Sequence, residues 1–317
     1  MSSSAHPLAP ADRDAFAALA EPHRRELQLH CYRMLASFDE AQDLVQETFL
    51  RAWRSRAGFA GRSTFRAWLY GIATNACLDA IARRSRTFAV APDAEITWLE
   101  PYPDALLDGV PGPDDAVIAK ETVELAYLVA IQHMTPRSRA VLILRDVVGL
   151  PARETADVLE LSVAAVNSAL QRARSVLAEQ LPAERAEWAP GTDADAAEKA
   201  LLERYMRATE AVDIESLKQT LAEELRFSMP PEPGVYDGRD GVVDMWVDGG
   251  FGTGQWLMRC VVTRVNRQPA VACYAQREGT WRPFTLDVLR IAGGEIAEIV
   301  TFPLEDPARY GLPEVLA

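Results

Sequence analysis

Apolar residues recur at helical spacing through residues 12–86. Val45, Phe49 and Trp53 follow one another at four-residue intervals, with acidic and basic side chains on the other side. A second apolar stripe begins after a glycine-containing loop at 58–61. Side chains three or four positions apart share one face of a helix, so the pattern predicts amphipathic helices that pack into an all-α domain.

The pattern is helical again over residues 119–182. Helices are predicted at 121–134, 138–148, 151–159 and 162–181 from their apolar periodicity, capping residues and prolines. The last two helices are joined by a short connection, Glu160-Leu161-Ser162. This layout predicts a helix-turn-helix.

The C-terminal third has a different spacing of apolar residues. After a linker at 182–195, it contains runs in which apolar residues alternate with other residues. The predicted helices are 197–212 and 215–221, and the predicted strands are 225–229, 256–265, 269–277, 284–292 and 296–302. Gly293-Gly294 is typical of a two-residue hairpin turn between the last two strands. An α+β domain over 196–306 follows from this mixture.

The distribution of charge separates these parts. The chain has a formal net charge of −13, yet residues 51–86 contain eight arginines and one acid. Residues 87–118 contain five prolines and seven acids without a base, and form a predicted linker. From residue 191 onward there are 13 bases and 21 acids. Any contact with DNA should therefore be local, and weak unless a larger partner supplies further phosphate contacts.

Several classes of protein are disfavoured by composition. No apolar run approaches the ~20 residues that span a bilayer, and the N-terminus lacks the basic and apolar parts of a secretory signal. The four cysteines are scattered, without the spacing of a metal site. We therefore expect a cytoplasmic protein with reduced thiols, no metal and no cofactor.

The run DLVQETFLRAWR, followed by FAGRSTFRAWLYGIATNACLDAIARRSR, resembles the second domain of sigma-70 family proteins. The likeness is to the small extracytoplasmic-function (ECF) sigma factors. It implies an all-α domain over 12–86 that docks on core RNA polymerase. By the resemblance, Asp43, Gln46 and Glu47 would contact the coiled coil of the largest polymerase subunit, with the flap as a second polymerase contact.

The same resemblance implies that the loop and helix after residue 58 hold unstacked promoter DNA at the −10 element. The residues it assigns to this DNA are Arg62, Ser63, Thr64, Arg66, Asn75, Arg83 and Arg84. Arginines suit phosphates, whereas hydroxyl and amide groups suit base edges. Phe65 and Trp68 fit either a base-stacking surface or the domain core.

The helix-turn-helix over 119–182 resembles the fourth sigma domain, which reads the −35 element. Its second helix should bury Val163, Val166 and Leu170 and leave polar side chains outward. The outward residues assigned to DNA are Ser162, Asn167, Ser168, Gln171 and Arg172. Family members commonly have a basic residue near positions 167 or 169, and this chain does not, so this domain alone should bind DNA weakly.

Residues 98–104 resemble a linker element of sigma factors that carry an additional domain, in which it docks internally. The segments LERYM, YDGRDG and DVLRI resemble SnoaL-like domains, which have a cone-shaped α+β fold around a pocket. Trp246, Trp256, Tyr274 and Asp287 are the candidate pocket residues, although core packing also explains the aromatic ones. All four histidines lie outside this domain, so no catalytic residue is assigned.

These observations predict a non-enzymatic sigma factor in which the SnoaL-like domain regulates the sigma domains by intramolecular contact. One alternative is a helix-turn-helix regulator that acts without polymerase. Another is a C-terminal domain that binds or converts a small molecule, with the sigma part as its regulator.

Overall fold

The computed structural model describes residues 13–59, 63–87, 96–108, 122–181, 196–253 and 257–316. The chain divides into two compact units. One contains residues 1–94 and 109–182, and the other contains 95–108 and 183–317. In the described ranges, no helix is long and apolar enough to cross a membrane.

The first unit is entirely helical in its described part. Its α-helices are α1 Arg13–Ala20, α2 Arg24–Leu35, α3 Phe38–Ser55, α4 Phe65–Thr87, α5 Leu125–Gln132, α6 Pro136–Leu142, α7 Ala152–Leu159 and α8 Val163–Gln180. Short 3₁₀ turns at Glu21–His23 and Arg56–Gly58 and a π-helical turn at Ile143–Val147 extend three of them. The helix predicted at 121–134 is shorter than expected, because α5 begins only at Leu125.

Capping explains where the main helices of this unit begin. Ser37, Thr64, Thr135 and Ser162 each accept a hydrogen bond from the backbone amide three residues later. Such bonds satisfy amides that have no partner inside the helix. Thr64 is therefore the residue that caps α4.

Helix α2 is the centre of the first unit. Every residue from Glu26 to Leu35 is buried. The helix contacts α3, α4, α5 and α6, which explains why it is buried on all sides rather than along one stripe. The helices predicted over residues 12–86 and those predicted over 119–182 therefore share one core.

In its described residues the second unit contains a mixed six-stranded sheet and three α-helices. The helices are α9 Ala196–Ala211, α10 Ile214–Lys218 and α11 Arg239–Asp248, and the strands are β1 Leu221–Ser228, β2 Val235–Asp237, β3 Met258–Val265, β4 Gln268–Arg277, β5 Thr280–Ala292 and β6 Glu295–Pro303. The strand order is β2-β1-β6-β5-β4-β3, with β1 parallel to β6 and the other pairs antiparallel. The architecture is the α+β fold predicted for this domain.

The predicted hairpin between β5 and β6 is confirmed. Ala292 pairs with Glu295, so two glycines form the whole connection. Gly293 and Gly294 have φ values of 59° and 81°. A two-residue turn of this kind needs positive φ at both positions, which glycine adopts without strain. In contrast, α11 and β2 were not predicted.

Candidate DNA and polymerase interfaces

The acidic and polar side of α3 faces solvent. Asp43 and Gln46 are exposed, and Glu47 is partly exposed. Leu44, Val45 and Thr48 form the buried side of the same helix. The Glu47 carboxylate also accepts a hydrogen bond of 2.8 Å from Arg51. The three residues predicted to contact polymerase therefore share one accessible surface, which we call the α3 surface.

Helix α4 carries the residues predicted to contact the −10 element. Asn75 and Arg83 are exposed, Ser63 is partly exposed, and Thr64 is exposed and caps the helix. Arg62 lies outside the described residues. The exposed positions lie at both ends and in the middle of α4, so this helix presents polar groups along its length.

Acidic side chains of α3 and α4 neutralise part of the basic stretch. Arg51 forms ion pairs of 2.8 Å with Glu47 and 3.1 Å with Asp79. Arg84 forms an ion pair of 2.6 Å with Glu40. The charge that the stretch offers to DNA is therefore smaller than its sequence indicates.

Arg66 differs most from its predicted role. Its Nε donates a hydrogen bond of 2.8 Å to Glu26, whose side chain is only 6% exposed. Nη1 also donates to the carbonyl oxygen of Val148 over 3.5 Å. The Tyr70 hydroxyl donates to Glu26 as well, over 3.1 Å. Since a buried carboxylate needs such donors, Arg66 stabilises the fold, and a contact with DNA would require this pair to open.

Aromatic rings at the start of α4 pack against one another. The ring centroids of Phe59 and Trp68 are 5.1 Å apart, and those of Phe65 and Trp68 are 5.7 Å apart. Phe16 lies 6.1 Å from Phe65 in an edge-to-face arrangement. This packing supports the core interpretation for both Phe65 and Trp68.

The helix-turn-helix is formed by α7 and α8. Glu160 ends α7 in the left-handed conformation with φ of 54°, and Leu161 donates to the carbonyl of Ala156 over 2.9 Å. Ser162 then caps α8 by accepting a hydrogen bond of 3.1 Å from the amide of Ala165. This tight connection determines which face of α8 is turned outward.

The outward face of α8 contains the predicted base-reading residues. Asn167, Ser168, Gln171 and Arg172 are all exposed, as is Ser162. We call these residues the α8 surface. Asn and Gln side chains at such positions match the hydrogen-bonding edge of adenine, and Arg172 can reach phosphate or guanine.

The predicted burial of Val163 was wrong, because Val163 is 43% exposed. It occupies the first position of α8, where the chain has just left the turn. Val166 and Leu170 are buried as expected. Farther along, Arg174 donates two hydrogen bonds of 2.8 and 2.7 Å to Asp146 at the surface of the helical unit.

The two helical regions contact each other within the first unit. A Cβ on Gly71 of α4 would lie 3.4 Å from Val158 of α7, so the helices meet closely there. Buried Arg139 of α6 donates to the carbonyl of Met34 in α2. Burial lowers the pKa of this guanidinium to about 9. Together these contacts hold the helix-turn-helix against the helices that precede the linker.

The predicted docking of residues 98–104 is confirmed within the second unit. The amide of Tyr102 donates to the side chain of Asn266 over 2.7 Å, and the amide of Asn266 donates to the carbonyl of Tyr102 over 3.0 Å. Pro103 forms a bridge with Val265, and Asp104 accepts a hydrogen bond of 2.8 Å from the amide of Arg267. Part of the acidic linker is therefore an ordered piece of the C-terminal domain.

A cavity of about 240 Å³ lies between the helices and the sheet of the second unit. Its wall is mainly aromatic rings and methionines, and Trp246 and Asp287 contribute as predicted. Asp287 accepts hydrogen bonds of 2.8 Å from Thr301 and 3.1 Å from Tyr205. Burial raises the pKa of the Asp287 carboxyl.

Tyr274 lies outside this cavity. Its hydroxyl donates to the carbonyl of Pro313 over 2.7 Å, whereas the preceding residue, Cys273, lines the cavity. Trp256 lies outside the described residues. Asp213 and Asp244 are exposed, and Asp213 caps α10, so neither forms part of the cavity.

Comparisons with known proteins agree with this arrangement. The family Sigma-70 region 2 matches residues 19–87, and Sigma-70, region 4 matches residues 124–177. SigG, an ECF RNA polymerase sigma factor of Mycobacterium tuberculosis, is 41% identical over 97% of this chain and 87% of its own length. SigW of Bacillus subtilis is 33% identical over 54% of this chain and 90% of its own length.

A solved structure extends the likeness of fold to the C-terminal unit. The crystal structure of the extracytoplasmic function sigma factor SigJ from Mycobacterium tuberculosis has a TM-score of 0.59 and 22% sequence identity, and it covers 94% of this chain and 99% of that chain. With both sigma regions matched and a full-length relative at 41% identity, the chain belongs to the ECF sigma factors of the sigma-70 family.

Proposed function

We propose that this chain directs core RNA polymerase to promoters by using two separate surfaces of its helical unit. The observation that carries the proposal is the joint exposure of the α3 surface (Asp43, Gln46 and Glu47) and the α8 surface. The first would bind the coiled coil of the largest polymerase subunit. The second would read the −35 element in the major groove.

Opening of the −10 element is assigned to the polar side of α4 and the loop before it. Asn75 and Ser63 can bond base edges, and Arg83 can bond phosphate. Unstacking bases costs a few kcal/mol, which contacts to the displaced strand must offset. The reaction that makes RNA belongs to the polymerase, so the contribution of this chain is binding energy and placement.

The contact between α4 and α7 has a consequence for this function. Gly71 and Val158 meet in the same compact unit in which Arg139 reaches Met34. Reading two separated DNA elements at once would require the two helical regions to move apart. We propose that binding to polymerase replaces these internal contacts with contacts to the enzyme, which frees the α4 and α8 surfaces for DNA.

Retention on immobilised core polymerase, followed by run-off transcription and mapping of start sites, tests the proposal. The full chain should be retained and should select defined start sites. Asp43→Ala together with Gln46→Ala should weaken retention, whereas Glu223→Ala, which removes an exposed carboxylate of β1, should not. A full chain that is not retained would contradict the proposal and favour a polymerase-independent regulator.

For the second unit we propose a regulatory role toward the sigma regions. The support is that part of the linker, residues 96–108, is held by the C-terminal domain. Removal of residues 191–317 should change the amount of transcript per bound polymerase while retention on polymerase persists. Unchanged transcript would contradict this role.

A further inference from the structure

The cavity of the second unit combines one buried acid with an apolar wall. Asp287 is 7% exposed and is the single charged side chain among the described residues that line the cavity. The described lining contains no lysine, arginine or histidine. A carboxylate is therefore present in an apolar space without a basic neighbour in that lining.

The hydrogen bonds of Asp287 leave room for one more donor. Thr301 donates to Oδ1 over 2.8 Å, and Tyr205 donates to Oδ2 over 3.1 Å. The Cys273 thiol lies 3.7 Å from Oδ2 and is a weak donor. A carboxylate has about four lone-pair sites, so the three neighbours do not saturate it.

The rest of the wall favours a cation with an apolar body. The rings of Phe227, Trp246, Phe251 and Phe284 line the cavity. Phe227 and Trp246 meet edge to face, with centroids 5.4 Å apart. Aromatic faces attract cations, and the attraction is larger in a desolvated site. A volume of about 240 Å³ exceeds the ~150 Å³ that accommodates a benzene molecule, and so leaves space for a ring with a short chain.

From these observations we infer that the cavity binds a hydrophobic amine, with its ammonium group on Asp287 and its apolar body among the aromatic rings. The ammonium would supply a positive charge beside the carboxylate and donate to its remaining lone pair. A neutral alcohol of the same shape could donate one hydrogen bond but would leave the charge uncompensated. An anionic analogue would be repelled.

The inference does not depend on the promoter role, and its test does not measure transcription. Isothermal titration calorimetry on the full chain at pH 8.5 would compare 4-phenylbutylamine, 4-phenylbutan-1-ol and 4-phenylbutyrate, which share one apolar body. We expect the amine to bind about tenfold more tightly than the alcohol, because a desolvated cation–π contact and an ion pair both add to its affinity. The acid should bind least.

Variants identify the site. Asp287→Asn retains the shape of the side chain and should abolish the preference for amine over alcohol, whereas Asp244→Asn, an exposed acid on α11, should preserve it. Met245→Trp should fill the cavity and weaken both ligands, and it decides the location if Asp287→Asn does not fold. Equal binding of amine and alcohol, a preference that survives Asp287→Asn, or binding of none of the three probes would overturn the inference.

Discussion

The guanidinium of Arg66 and the carboxylate of Glu26 are 2.8 Å apart and join α4 to α2. Because Glu26 is buried, removal of Arg66 takes the guanidinium away from a carboxylate in the core of the helical unit and leaves that carboxylate with the Tyr70 hydroxyl and the ring of His23, which is 2.5 Å away. We expect Arg66→Ala to lower the free energy of unfolding by about 2 kcal/mol, the scale of a hydrogen bond to a charged group. Chemical denaturation monitored by circular dichroism would measure this loss.

The matched variant for this prediction is Asn75→Ala on the same helix. Asn75 is exposed, so its replacement should leave stability within about 0.5 kcal/mol of the wild type. It should instead lower transcription from the cognate promoter while retention on polymerase persists. If Arg66→Ala leaves stability unchanged but lowers transcription, the original assignment of Arg66 to DNA is correct and the structural assignment is wrong.

The α8 surface gives a second prediction. Gln171→Ala should lower transcription about tenfold, because a lost bidentate contact to a base costs roughly 1–3 kcal/mol. Arg172→Ala should lower it too and should reduce the salt dependence of promoter binding if the side chain contacts phosphate. Quantitative run-off assays at several salt concentrations would measure both effects.

Glu179→Ala is the control for these variants, since Glu179 is exposed on α8 two turns beyond the surface. It should leave transcription and polymerase retention near wild-type values. Loss of polymerase retention in Gln171→Ala or Arg172→Ala would contradict the allocation of this face to DNA.

The helical elements could be predicted from the sequence because their apolar period, caps and prolines are local signals. The caps Thr64 and Ser162 and the glycine hairpin of β5 and β6 are examples of such signals. Exposure of the α3 and α8 surfaces also followed from periodicity. These features depend on residues close together in the chain, which is why one sequence sufficed.

The contacts that the sequence did not reveal mostly join residues that are distant in the chain. The resemblance assigned Arg66 to DNA, and no local signal indicated its ion pair with Glu26, 40 residues earlier, in a helix buried on all sides. Tyr274 lies outside the cavity, and its hydroxyl donates to the carbonyl of Pro313, 39 residues later. No local pattern indicates the buried role of Arg139 either, since its acceptors are the side-chain oxygen of Gln132 and several backbone carbonyls, including that of Met34, 105 residues earlier.

The docking of the linker on Asn266 gives a third prediction. Asn266 has φ of 53°, and both its side chain and its amide bond to Tyr102. Asn266→Ala removes the side-chain acceptor and strains the backbone, so residues 96–108 should become more accessible to protease. Limited proteolysis with mass spectrometry would locate the new cleavage sites.

Asn266→Gly separates the effect of the lost side-chain acceptor from the effect of backbone strain. Glycine adopts positive φ without strain, so this variant loses the hydrogen bond from the amide of Tyr102 without adding backbone strain. We expect cleavage of residues 96–108 at a rate between those of the wild type and Asn266→Ala. If neither variant increases cleavage, the contact with Asn266 does not hold the linker.

The last prediction concerns His30, which lies at the centre of the helical unit. Its Nε2 is 2.9 Å from the Thr74 hydroxyl, and the hydroxyl itself donates to the carbonyl of Tyr70. Nε2 must therefore carry the proton and donate, which leaves Nδ1 without a hydrogen-bond partner in the described structure. Burial, with smaller contributions from Arg33 and Arg66, lowers the pKa of His30 to about 3.

A lowered pKa makes folding sensitive to acid in a defined window. Above the unfolded pKa of about 6.5, His30 is neutral in both states and its contribution to stability is fully present. As pH falls from about 6.5 toward 3, the unfolded chain gains a proton that the folded chain does not. Stability should therefore fall by up to about 1.4 kcal/mol per pH unit, as measured by amide hydrogen-exchange protection in α2.

His30→Gln should reduce this slope by the contribution of about one proton, that is, by up to about 1.4 kcal/mol per pH unit. His133→Gln, which replaces an exposed histidine, should retain the slope of the wild type. Equal slopes in wild type and His30→Gln would show that other buried groups, rather than this imidazole, govern acid unfolding of the helical unit.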